Sequence, residues 1–116
     1  MKLLAGFLLL AGASPAAATD AGQFVWCGSN VILQADMGGH ISIGYYWGPK
    51  PAEGNLTEIE SHFRSAIVTA IYSEGGALSD IKQLKCYVAP TAAAAAQAMA
   101  NDQKAAKTFG NEIRSL

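Results

Sequence analysis

No cluster of lysine and arginine occurs anywhere in this sequence. Eight basic residues are scattered among nine acidic ones over 116 positions, for a formal net charge of −1. Neutralising a nucleic-acid backbone takes several converging cations, so the composition speaks against a nucleic-acid partner. It equally lacks the Lys/Arg-rich amphipathic face that holds a helix on an anionic membrane. Histidine and cysteine occur only twice each, with no H-x-x-x-H and no paired Cys/His spacing of the kind that assembles zinc ligands. Neither G-x-S-x-G, G-x-x-x-x-G-K nor G-x-G-x-x-G is present, which removes the nucleophile elbow, the phosphate loop and the dinucleotide fingerprint. Glu58 and Glu60 stand two apart on a helical stretch, so their side chains diverge and cannot act as an acid/base pair. The expectation is a protein without a catalytic constellation, metal or cofactor. The enzymatic alternative is a small hydrolase or metal-dependent enzyme built on His40 and His62 with Asp36 and Glu58. It requires the two imidazoles to converge, since one metal with bonds near 2 Å cannot hold nitrogens more than about 10 Å apart.

Long apolar runs are also missing. The longest, Leu3–Ala13, is too short to span a bilayer. Preceded by Lys2 and followed by Ala16-Ala17-Ala18, it has the parts of a secretory signal peptide over residues 1–18. Pro15 and the polar Thr19–Gln23 argue against an anchor or a first core helix. Cys27 follows Phe24-Val25-Trp26 rather than the apolar run, which speaks against lipid attachment. Cleavage after Ala18 would leave residues 19–116 as one small exported domain of 98 residues, not inserted in a membrane and located in the bacterial periplasm or outside the cell. Two cysteines in an exported chain imply a disulfide between Cys27 and Cys86. Closing a loop of about 60 residues contributes on the order of 4 kcal/mol in the chain-entropy model. The absence of C-x-x-C excludes a thioredoxin-like redox pair.

The strongest local signal is Asn55–Ser73. Leu56, Ile59, Phe63, Ala66, Ile67 and Ala70 recur at helical spacing. Asn55 and Glu58 make a capping box, and Gly75-Gly76 end the segment. Asn55-Leu56-Thr57 also matches a glycosylation sequon, but Asn55 is better explained as the helix cap. Before it, Gln23–Asp36 reads as extended, Asp36-Met37-Gly38-Gly39 as a turn and Ile41–Trp47 as a strand, giving a hairpin. Gly48–Gly54, with two prolines and two glycines, reads as a loop. After the helix, Ile81–Ala89 is a strand that can run parallel to an earlier one. Thr91 can cap an alanine-rich helix, Ala92–Thr108, whose thin stripe is Ala92, Ala95, Met99 and Ala106. Gly110 ends that helix, and Asn111–Leu116 can add a short edge strand. These elements predict an α+β two-layer sandwich, a small, mainly antiparallel sheet with two helices on one face, in the order β-β-α-β-α.

Aromatic residues make up 9% of the chain, and three stand together as Tyr45-Tyr46-Trp47. Adjacent strand residues point to opposite faces, so a one-faced core cannot bury all three. With Tyr87 they are the candidate binding residues, presented beside the 45–54 loop. Packing inward is the competing role for Tyr45 and Trp47, with Tyr46, Lys85 and Tyr87 on the other face. Val68 and Tyr72, opposite the helix stripe, are too few to make a contact patch. The functional expectation is a small exported binding or accessory module of the cell envelope, an inhibitor or partner-binding protein, whose partner is a protein or small ligand. A structural envelope component is the remaining class.

Overall fold

A computed structural model describes residues 22–116; the segment read as a signal peptide lies outside the described residues. The elements are β1 (Phe24–Gln34), a single 3-10 turn (Asp36–Gly38), β2 (His40–Pro51), α1 (Leu56–Ser73), β3 (Leu78–Ala89), α2 (Ala92–Thr108) and β4 (Glu112–Ser115). They form a four-stranded sheet in the order β3-β1-β2-β4. β1 is antiparallel to β2 and β3, and β4 is parallel to β2. The α+β class, the element order and the short final strand are as the sequence predicts. The strand after α1 runs in the same direction as β2 but pairs with β1, and so antiparallel.

The expected placement of both helices on one face needs correction. On α1, Ile59, Phe63, Ile67 and Ile71 pack with Val25, Cys27, Val31, Ile43, Tyr45 and Cys86. Trp26 and Tyr46, which alternate with those strand residues, pack instead with Ala95 of α2. Side chains one apart on a strand point to opposite faces, so the sheet lies between the helices. Topology supplies the reason. β2, β3 and β4 run in one direction; the β2-α1-β3 connection crosses the sheet one way and β3-α2-β4 crosses back. Two crossovers of the same, right-handed sense travelling in opposite directions put their helices on opposite faces.

The helix signals translate directly. Asn55 Oδ1 accepts from the Glu58 amide at 2.9 Å, and the Asn55 amide donates to Glu58 Oε1 at 3.3 Å. The Ala94 amide donates to Thr91 Oγ1 at 3.0 Å, starting α2. Cys27 and Cys86 form a disulfide between directly opposed residues of β1 and β3, and both are buried. Their Cα atoms lie 4.0 Å apart, as at a non-hydrogen-bonded pair, so the Cys86 amide points out of the sheet edge. Glu60 Oε2 of α1 accepts from it at 2.9 Å. The carboxylate thereby closes part of an edge that another strand would otherwise extend.

The loop predicted for 48–54 is shorter than expected, because β2 continues to Pro51, opposite Phe24. The prolines are tolerated there since β4 pairs only with Ile43–Tyr46, leaving the end of β2 as an edge. An extra residue in β2 between the Cys27–Trp47 and Val25–Lys50 pairs makes a bulge at Gly48-Pro49, whose peptide bond is cis. Gly48 has φ +103°, and a Cβ there would sit 2.7 Å from the Val25 carbonyl oxygen. No other residue fits both conditions. A second bulge, in β3 opposite Ser29, gives Gln83 a φ of +55°. Ser29 Oγ donates to the Lys82 carbonyl at 2.9 Å, satisfying an acceptor beside this irregularity.

Candidate functional site

Each helix leaves part of its sheet face open, and a groove lies beside each. The larger, about 630 Å³, runs between β3 and the C-terminal half of α2. Its floor contains Gly28 and Gly44. A Cβ at either would meet the Tyr46 ring, at 2.9 and 3.0 Å. The absent side chains therefore let that ring lie across the sheet, and its hydroxyl reaches Asp102 Oδ2 of α2 at 2.5 Å. Burial, and then the hydrogen bond to Asp102 and its charge, hold the Tyr46 phenol well above the usual tyrosine range, so it stays protonated.

One wall of the groove is aromatic. Tyr87 of β3 stacks on Trp26 of β1 with ring centroids 4.6 Å apart and planes 25° from parallel. Trp26 is buried, whereas Tyr87 remains 42% exposed, so a ring fixed on one side is open on the other. On the opposite lip stands Phe109, at the C-cap of α2 and 85% exposed. Between them the lining mixes Leu84, Ala105 and Ala106 with several polar side chains. Asn30 Oδ1 accepts from Ser42 Oγ at 2.6 Å and from Asn111 Nδ2 at 3.4 Å. Lys85 and Gln83 come from β3, and Asp102 faces them from α2.

The second groove, about 520 Å³, lies on the α1 face and is mostly apolar, with Trp47, Ile59, Phe63 and Ala66 among its walls. The half-buried Trp47 ring carries the Lys50 ammonium 5.5 Å from its centroid. Pro51, Glu53 and His62 edge this groove, which places the rest of the aromatic-strand and loop surface here.

The four candidate binding residues thus separate. Tyr45 is 1% exposed within the α1 core and forms no part of a surface, because β2 aims it beneath the helix. Its hydroxyl lies toward Arg114, the facing residue on β4, whose guanidinium is engaged with Glu112 at 2.8 Å and with Glu74 beyond α1 at 2.7 Å. Tyr46 is also buried and shapes the first groove, Tyr87 presents its ring there, and Trp47 belongs to the second. The predicted sharing of one face by Tyr46, Lys85 and Tyr87 is what the structure shows.

His40 opens β2 and His62 lies beside Trp47, seven strand residues further along. At about 3.3 Å per residue this separates them by roughly 20 Å, so the structure does not bring the imidazoles together. Among the described residues no three His, Cys, Asp or Glu side chains are grouped to hold a metal. Val68 and Tyr72 remain an isolated pair, with Tyr72 exposed.

Sequence reading passed over Asn30, Asp102, Phe109 and Asn111. For Asp102 a signal existed: it continues the α2 stripe of Ala95, Met99 and Ala106 rather than standing opposite it. A carboxylate in line with a helix's apolar stripe announces a polar partner at the rim of that contact. Asn30 and Asn111, 81 residues apart, carry no local signal at all. No protein-family model, curated protein or solved structure matches this chain.

Proposed function

We propose that the protein is a small binding module of the bacterial cell envelope, exported and without catalytic machinery, whose site is the groove between β3 and α2. The observation that carries this reading is the Tyr87 ring, braced by Trp26 on one face and open on the other, at the mouth of a groove with polar side chains in its lining. Binding sites combine a fixed aromatic surface with a few convergent polar groups in this way. The buried Cys27–Cys86 disulfide suits an oxidising compartment. No helix among the described residues is long and apolar enough to cross a membrane, which is compatible with the same location.

The test uses the chain immobilised and challenged with envelope extract, alongside Tyr87→Ala and Trp47→Ala variants. Tyr87 is exposed enough to be truncated without opening the core. Retention of a component that is lost with Tyr87→Ala and kept with Trp47→Ala supports the α2 groove. Loss only with Trp47→Ala would move the site to the opposite face and refute the assignment.

A further inference from the structure

The lining of the α2 groove also indicates the class of its occupant. We infer that it binds a neutral saccharide, with a pyranose ring laid on the open face of Tyr87; this deepens the binding-module reading and rests on it. A pyranose has a flat C–H face and a rim of hydroxyls, each able both to donate and to accept. The groove offers the complement of both. Tyr87 provides the flat apolar surface, and its stack on Trp26 fixes its position before any ligand arrives, which lowers the ordering cost of binding. Four residues along β1 from Trp26, roughly 13 Å further down the groove and within reach of a second sugar unit, Asn30 lines the wall and is held by Ser42 and Asn111 through Oδ1, contacts that leave its amide hydrogens unused. Asn111, used there as a donor, keeps its carbonyl oxygen as an acceptor. Donor and acceptor thus stand side by side, matched to adjacent hydroxyls.

Charge and edge geometry weigh against the main competitors. Lys85 and Asp102 enter the groove from opposite walls, so it has no net field to concentrate phosphorylated, sulfated or cationic ligands. A peptide would most simply enter by adding a strand to β3, but Glu60 already occupies the outward amide of Cys86 on that edge. The glycine floor leaves about 630 Å³, within the size range of small-molecule sites.

The two tryptophans make the test internally controlled, since Trp26 lies in this groove and Trp47 in the other. The ¹⁵N-labelled protein is titrated separately with β-1,4-linked glucose and N-acetylglucosamine tetrasaccharides, a sulfated tetrasaccharide and a proline-rich peptide. Expected is a saturable shift of the Trp26 indole signal with a neutral saccharide and none of Trp47. It should be indifferent to salt and weakened about three- to tenfold by Tyr87→Ala. An Asn30→Ala variant should weaken it too, with the remaining spectrum confirming the fold. No Trp26 shift at about 10 mM neutral saccharide, or a shift only with the sulfated sugar that vanishes in salt, overturns the inference. If the peptide alone moves Trp26, the saccharide is wrong while the groove stands. If ligands move only Trp47, both readings fall.

Discussion

Replacing Tyr46 by Phe would test what holds α2 on the sheet. Of its 17 residues only Ala95 is fully buried, with Ala98 and Met99 partly covered. So little apolar contact leaves the bond from Tyr46 to Asp102 as a major part of the docking. Hydrogen bonds to a charged group contribute about 1.5–3 kcal/mol. Asp102 lies on the exposed side of the groove wall and regains water when its partner is lost, so the lower end applies. About 1.5 kcal/mol corresponds to a roughly tenfold rise in the opening equilibrium. Native-state amide exchange reads this by segment: protection over Ala98–Lys107 should fall by about that factor, while the Phe63–Ile71 core of α1 keeps its protection. An equal loss in both helices, or none in α2, would refute the view that this contact governs local docking. The same bond has a pH signature. Folding raises the phenol pKa, chiefly through burial, so the folded state holds this proton more tightly than the unfolded state. Its contribution is complete below about pH 10 and is lost as pH rises beyond that, with a slope no steeper than about 1.4 kcal/mol per unit. The stability difference between wild type and Tyr46→Phe should therefore shrink in alkali; a difference that grows would contradict the assignment.

Three further outcomes follow from the packing. Replacing Cys27 and Cys86 together by Ala should lower the unfolding free energy by about 4 kcal/mol in denaturant melts, because a 59-residue separation is no longer closed in the unfolded chain; a change under about 1 kcal/mol would show that the unfolded state is already compact. Gly48→Ala should cost about 2 kcal/mol or more in thermal melts, since the new methyl meets the Val25 carbonyl and the backbone has positive φ. Ile67→Ala, at a fully buried position, should cost about 2–5 kcal/mol in urea, against under about 0.5 kcal/mol for a conservative change at exposed Thr69 such as Thr69→Ser.

Local features of this chain were legible because their causes are local. The Asn55 box, the Gly75-Gly76 stop and the Thr91 cap each depend on residues a few positions apart, and the sequence states them outright. The disulfide was legible from the expectation of export and the count of two cysteines. The face on which α2 lies was not, because it depends on the direction of travel across the sheet, and hence on strand order. Nor could the length of β2 be read from its prolines, since their tolerance depends on where the four-residue β4 stops pairing. The site shows the same division. Alternation along Tyr45-Tyr46-Trp47 correctly assigned neighbours to opposite faces, but only the fold shows that both faces are covered. The pairing of Asn30 with Asn111 needs the closed sheet.

The alternation of Val25 and Trp26 along β1 places consecutive residues in grooves on opposite sides of the molecule. A strand used on both faces has a fixed count as well as a fixed composition. One inserted or deleted residue within Phe24–Val31 would exchange the linings, sending an indole under α1 and a valine under α2. The 3-10 turn beyond it has no such constraint, since Met37 projects entirely into solvent. An insertion scan would therefore find this protein permissive at Met37 and intolerant a dozen residues earlier, where an added amide turns the lining of the α2 groove toward α1.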